Sequence, residues 1–270
     1  MDARLLQHPM VTTEDAAVYS DFEHETWAIL FARQKQLLPQ YAAPEVLEGM
    51  KILDIREDKI PNFSWINEIL ERETNFRVVP VKGFIPEKLF FEFLSQRCFP
   101  TTCFIRKREQ LEYLVEPDVF HDVFGHVPLL VNPIFANFMQ EFGKKGLESI
   151  EHDLYRYAAA LYWFTVEFGL IQTAKGIKVY GAGITSSIGE TQYSIDSDKP
   201  NRLKFNMIRA MKTLYRIDHF QESYFVIQDY QELFDTLLHM DWQKLKLIID
   251  SFPDIDEGVV RSDDELMQEG

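Results

Sequence analysis

Cysteine is nearly absent: Cys98 and Cys103 are the only two in 270 residues. One pair five positions apart builds neither a structural zinc site nor the dense disulfide framework of a small secreted domain. Both are read as reduced core thiols of a cytoplasmic protein. Long apolar runs are missing too, and nothing approaches the roughly 20 residues a membrane span needs. The first ten residues carry Asp2, Arg4, His8 and Pro9 instead of the apolar stretch of a secretory signal. Positive charge is scarce, with 28 Lys and Arg against 43 Asp and Glu and a formal net charge of −15. Such a chain has little general attraction for nucleic acid or anionic lipid, so neither is expected as a partner. Repeats and long low-complexity linkers are also absent.

Aromatic carbon is plentiful: 22 Phe, 11 Tyr and 4 Trp within a chain that is 46% hydrophobic. That is enough for one large core, and it suits a pocket for flat ligands. The pattern predicts a mainly α single domain with small β elements. Residues 1–11 read as a flexible arm, 12–260 as the folded domain and 261–270 as a mobile acidic tail. A helix is expected from Thr13-Glu14-Asp15 to about Pro39, with others near 44–51, 62–71, 87–96, 134–145, 153–171, 202–214 and 241–250. Short strands are expected at 76–81 and 224–227, a β-like stretch at 98–106, and a hairpin around Thr173–Gly176. Pro117 opens the helix that carries His121.

The densest chemistry lies in Glu116-Pro117-Asp118-Val119-Phe120-His121-Asp122-Val123-Phe124-Gly125-His126-Val127-Pro128. Imidazole is a good ligand for borderline metals. Five positions along an α-helix leave the two histidines roughly 140° apart, off a common face. A helix that loosens or ends at Gly125 would let His126 swing inward. Either histidine alone reads first as a hydrogen-bonded core residue; the close pair and a carboxylate downstream weigh against that. Downstream, Glu167 is flanked at helical spacing by Trp163, Phe164, Leu170 and Ile171, and no Lys or Arg is close in sequence. An ionised carboxylate buried there costs several kcal/mol unless a positive charge meets it. A metal dication supplies that charge; a Glu turned to solvent, or bonded to a distant Arg, is the alternative. Two His and one carboxylate form the facial set of non-haem iron(II) oxygenases, and a zinc hydrolase uses the same donor types.

Three stretches carry a resemblance: Glu116-Pro117-Asp118-x-x-His121-x-x-x-Gly125-His126-Val127-Pro128, Tyr162-Trp163-Phe164-Thr165-Val166-Glu167-Phe168-Gly169-Leu170, and Tyr180-Gly181-Ala182-Gly183-x-x-Ser186-Ser187-x-Gly189-Glu190. In order and spacing, across at least residues 83–193, the chain resembles the tetrahydropterin-dependent aromatic amino acid hydroxylases, especially their short bacterial members. The resemblance implies a mostly α catalytic domain that uses Fe(2+), O2 and a tetrahydropterin to turn L-phenylalanine into L-tyrosine. Tyrosine or tryptophan would be the substrate of a sister enzyme. A zinc hydrolase and a non-catalytic metal- or amino-acid-binding protein are the readings outside the class. The resemblance makes His121, His126 and Glu167 the iron ligands. It makes Asp118 the carboxylate that orients the His121 ring, with helix capping as the alternative. Arg106 would grip the substrate carboxylate, since its fork binds a carboxylate at two points. Trp163, Gly183 and Ser186 would line the substrate pocket, with Ser186 also touching His121. Gly83, Ile85, Phe90, Asp122 and Ala159 would hold the pterin, Phe90 by stacking. Leu114-Val115 stands where animal members have Thr-Pro, and Asp122 where they have Glu. A monomer or small homo-oligomer is expected, because the regulatory domain and tetramerisation helix of animal members have no counterpart in the sequence.

Overall fold

The structure is a computed structural model that describes residues 3–12, 19–112, 114 and 116–267. Twelve α-helices are described in this range: α1 (Ala3–Leu6), α2 (Asp21–Tyr41), α3 (Pro44–Ile52), α4 (Phe63–Thr74), α5 (Glu87–Ser95), α6 (Pro133–Glu151), α7 (Tyr155–Tyr162), α8 (Ala182–Thr185), α9 (Ile188–Asp196), α10 (Met207–Lys212), α11 (Tyr230–Leu238) and α12 (Trp242–Asp250). Six strands accompany them: β1 (Arg77–Val81), β2 (Cys98–Thr102), β3 (Leu170–Thr173), β4 (Gly176–Val179), β5 (Asn201–Lys204) and β6 (Ser223–Ile227). β1 and β2 form a parallel pair. The second sheet runs β4-β3-β6-β5, with β3 and β4 as an antiparallel hairpin and the other pairs parallel. The mainly α architecture with small β elements agrees with the sequence reading.

Several boundaries shift for identifiable reasons. The expected helix start at Thr13 falls on residues 13–18, outside the described residues. The long helix α2 begins at Asp21, where Ser20 and Glu23 form a reciprocal capping box. The helix expected over 202–214 divides into β5 and α10. Leu203 pairs with Phe225 of β6, and the Asn206 side chain then accepts the Arg209 N–H to start α10. The helix expected over 153–171 holds its α form only to Tyr162. It widens into a π-helical turn at Trp163–Glu167 and gives way to β3.

Both ends of the described residues are packed down. Val11 bridges to Val81, and the Lys82 N–H donates to the Met10 carbonyl at 3.0 Å. At the other end, Leu266 bridges to Leu203, and Asp264 pairs with Arg209 at 2.9 Å with both side chains buried. Residues 261–267 therefore lie against the domain and are not a loose tail. Acidic composition favours solvent, but here buried Arg209 and the edge of β5 supply partners.

The core is aromatic. Phe120 stacks on Phe124 with ring centroids 4.6 Å apart, Trp27 meets Phe120 edge-on at 5.2 Å, and Phe31 meets Phe124 at 5.4 Å. These rings pin the His121 segment against α2.

Candidate metal centre and aromatic cavity

The five-residue spacing of the histidines is resolved by a π-helical segment at Phe120–His126. Its turns are wider than those of an α-helix because each bond closes from i to i+5; the Val127 N–H reaches the Asp122 carbonyl. Residues five apart thereby come onto one face. The widening begins at Phe120, ahead of Gly125, and the segment does not end at that glycine. A Cβ at Gly125 would sit 2.9 Å from the Ala182 carbonyl oxygen, so glycine is what lets it lie against α8. Glu167 closes the second π turn, in which the Phe168 N–H donates to the Trp163 carbonyl at 2.8 Å.

The three donors converge. His121 Nε2 and His126 Nε2 are 3.1 Å apart, and the Glu167 carboxylate lies 3.4 Å from the first and 3.1 Å from the second. Donors about 2.1 Å from one ion are roughly 3.0 Å apart at right angles and roughly 3.4 Å apart at the tetrahedral angle. The triangle therefore accepts a single transition-metal ion and leaves its opposite face open.

Proton positions favour the same outcome. The Ser186 hydroxyl donates to the Ala182 carbonyl at 2.7 Å, so its oxygen is left to accept from His121 Nδ1 at 3.0 Å. With Nδ1 protonated, Nε2 of His121 presents its lone pair to the centre. Burial alone would raise the Glu167 carboxyl, but His126 and His121 outweigh it and hold the group well below its usual range. Glu167 is thus ready to ligate as a carboxylate.

Asp118 departs from its expected role. Its carboxylate accepts from Arg106 Nε and Nη2, both at 2.9 Å, from the Arg106 N–H at 2.8 Å and from the His121 N–H at 3.0 Å. The His121 ring turns to Ser186 instead, because an acid three residues ahead in a helical turn reaches backbone N–H groups more readily than a ring. Asp118 is fully buried and Arg106 is nearly so, a close two-point pair. Nη1 of Arg106 is not used by Asp118, and Arg106 lines the cavity beside the histidines.

That cavity has a volume of about 640 Å³. His121, Glu167, Arg106, Trp163, Gly183 and Ser186 all line it. A Cβ at Gly183 would come within 2.7 Å of the Phe168 ring, and Phe168 in turn packs on Trp163 with centroids 4.6 Å apart. Leu114 is on the wall, while Tyr113 and Val115 lie outside the described residues.

The other candidates are placed differently. Gly83, Ile85, Phe90, Asp122 and Ala159 are not on the wall of this cavity, although Phe84 is. Phe90 meets Tyr162 edge-on at 5.3 Å, and Tyr162 stacks at 6.3 Å beside His126. Asp122 is buried and accepts from the Thr102 N–H and hydroxyl at 2.7 and 2.9 Å. Burial pushes its carboxyl up, while His121 and the Thr102 bonds oppose the shift. Gly83 takes φ +108°, a glycine conformation, and stands against Glu116.

Phe168, Tyr215, Glu190 and Gln221, none of them expected from the sequence, also lie on the cavity wall. Phe168 and Glu190 stand inside the quoted motifs but pass for core; nothing in the local pattern marks Tyr215 or Gln221.

A family model described as biopterin-dependent aromatic amino acid hydroxylase matches residues 12–246. The chain belongs to the biopterin-dependent aromatic amino acid hydroxylases. Within that family, the phenylalanine-4-hydroxylase of Ralstonia nicotianae is 42% identical over the whole chain and 86% of its own length. That of Chromobacterium violaceum is 49% identical over 81% of this chain and 73% of its own. The crystal structure of the Chromobacterium violaceum hydroxylase with bound cobalt superposes with a TM-score of 0.93 at 44% identity, covering 96% of this chain and 93% of the other. Its form with oxidised Fe(III) gives 0.92, also at 44% identity, covering 96% and 94%. No described helix is long and apolar enough to cross a membrane.

Proposed function

We propose that this hydroxylase converts L-phenylalanine to L-tyrosine with Fe(2+), O2 and a tetrahydropterin. The observation that carries the proposal is the triangle of His121, His126 and Glu167 opening into an aromatic-walled cavity beside Arg106. Relatives named phenylalanine-4-hydroxylase at 42% and 49% identity support the choice of ring. The two imidazoles and the carboxylate fit an iron ion in number, type and mutual distance. When bound, iron and the reduced pterin supply the electrons that activate dioxygen for insertion into the ring.

The chain's own share is positioning and exclusion of water. Arg106, braced by Asp118, takes the substrate carboxylate through the nitrogen that Asp118 leaves unused. Trp163, Phe168 and Gly183 set the wall against which the ring lies. Ser186 keeps His121 in the tautomer that ligates. Gly83, Ile85, Phe90, Asp122 and Ala159 form the pterin side, around Tyr162 and Thr102. A low cysteine count supports a cytoplasmic setting, and strong negative charge argues against a nucleic-acid partner. The enzyme works as a monomer or small homo-oligomer.

Iron-loaded protein given phenylalanine, a tetrahydropterin and air should produce tyrosine, and zinc-loaded protein should not. His126→Ala should lose both bound iron and product; full iron content in that variant removes His126 from the ligand set. Arg106→Ala should raise the KM for phenylalanine far more than the KM for pterin.

A further inference from the structure

Trp163 is packed by two rings and held at its nitrogen. Tyr215 stacks on one side with centroids 4.6 Å apart and planes 19° from parallel, and Phe168 packs at 4.6 Å. The indole Nε1–H donates to Gln221 Oε1 at 2.8 Å. Gln221 is only 2% exposed, and its amide is used at both ends: Nε2 donates to the Arg216 carbonyl at 3.0 Å and to the His219 carbonyl at 3.4 Å. Reversing the amide would set oxygen against two carbonyls and N–H against N–H, so the contacts fix its orientation. The Gln221 backbone N–H donates to Glu190 Oε1 at 3.1 Å, and the same oxygen accepts from the Tyr224 hydroxyl. Asp218 and His219, in the loop that Gln221 holds, line the cavity with Trp163.

We propose that Gln221 is a positioning residue for the hydroxylation: it fixes the plane of the Trp163 indole and ties the 216–219 loop to it, so that fit of the substrate ring depends on Gln221. The inference rests on the proposed function, since Trp163 forms the wall for the substrate ring in that reading. It goes further because Gln221 belongs to none of the quoted motifs and acts through Trp163. Without the acceptor, the indole N–H loses its partner and only the packing of Tyr215 and Phe168 holds the ring. A Gln that only stapled the loop would affect stability and leave ring preference unchanged.

The test compares wild type, Gln221→Met, Trp163→Phe and the double variant as full-length iron-loaded enzyme. Met matches the shape of Gln without its amide. Gln221→Met should raise the KM for phenylalanine roughly three- to tenfold, leave the pterin KM within about twofold, and uncouple pterin oxidation from tyrosine formation. In the Trp163→Phe background the same substitution should add nothing. Gln221→Asn, which withdraws the amide by one methylene, should shift the KM in the same direction and serves if Gln221→Met does not fold. An unchanged phenylalanine KM in a folded Gln221 variant overturns the inference, as does an equal effect with and without the Trp163 indole. Wild type that makes no tyrosine overturns the functional reading instead.

Discussion

Glu190 illustrates how single side chains are tuned here. Burial pushes its carboxyl from the ordinary 4.5 up to about 7, against the opposing bonds from Tyr224 and the Gln221 N–H. A raised carboxyl favours the folded state while protonated. Its contribution is therefore complete below about pH 4.5 and is lost as pH rises through about 7. Glu190→Gln keeps an acceptor for both bonds and removes the titration. The variant should gain stability over wild type above pH 7, on the order of 3 kcal/mol, with no gain near pH 4.5; denaturant unfolding at the two pH values measures this. A pH-independent difference would show that folding does not raise the Glu190 carboxyl. Arg106 and Asp118 illustrate a second residue-scale device, a buried charge pair in which Asp118 takes Nε and Nη2 of the guanidinium and not Nη1.

At the scale of elements, two π-helical turns do what α-helices could not. The first brings His121 and His126 onto one face, and the second delivers Trp163 and Glu167 at the end of α7. α8 packs against both; elsewhere in the domain the packing is as close. α5 and α6 pack so closely that a Cβ at Gly146 would stand 2.3 Å from the Phe91 ring. Gly146→Ala should therefore cost about 1–3 kcal/mol through overpacking, despite the better helix propensity of alanine. The expected readout is a thermal midpoint lower by several degrees. A raised midpoint would mean that Phe91 can move aside freely.

At the scale of the whole molecule, the last described residues close over the second sheet. Arg209 donates to Asp264, Thr213 and the Val259 carbonyl, so one buried guanidinium ties α10 to the chain end. Asp264→Ala leaves that charge without its counter-ion and should destabilise the domain by about 3–5 kcal/mol. Proteolysis and thermal unfolding would report it. Stability within 0.5 kcal/mol of wild type, the usual range for surface changes, would show that the Arg209–Asp264 contact is dispensable. The same sheet carries the Gln221 segment into β6, so its integrity bears on the cavity as well as on the fold.

Chemical identity was legible in the sequence because it resides in residue types. Two histidines beside a carboxylate stranded among apolar neighbours already pointed to a metal, and three spaced motifs pointed to the family. Helices with clear apolar periodicity and capping residues, such as α4 with Asn62 and α12 with Asp241, were equally readable, because a helix is largely a matter of local order. Geometry that depends on distant partners was not. The π turn of the histidine segment lies against α8 and against Trp27 and Phe31 of α2; β5 takes its partner β6 from some twenty positions on; and the His121 ring is held by Ser186, 65 positions away. Local order is set by neighbours in the chain, whereas the orientation of a buried polar group is set by whichever partner the fold brings to it.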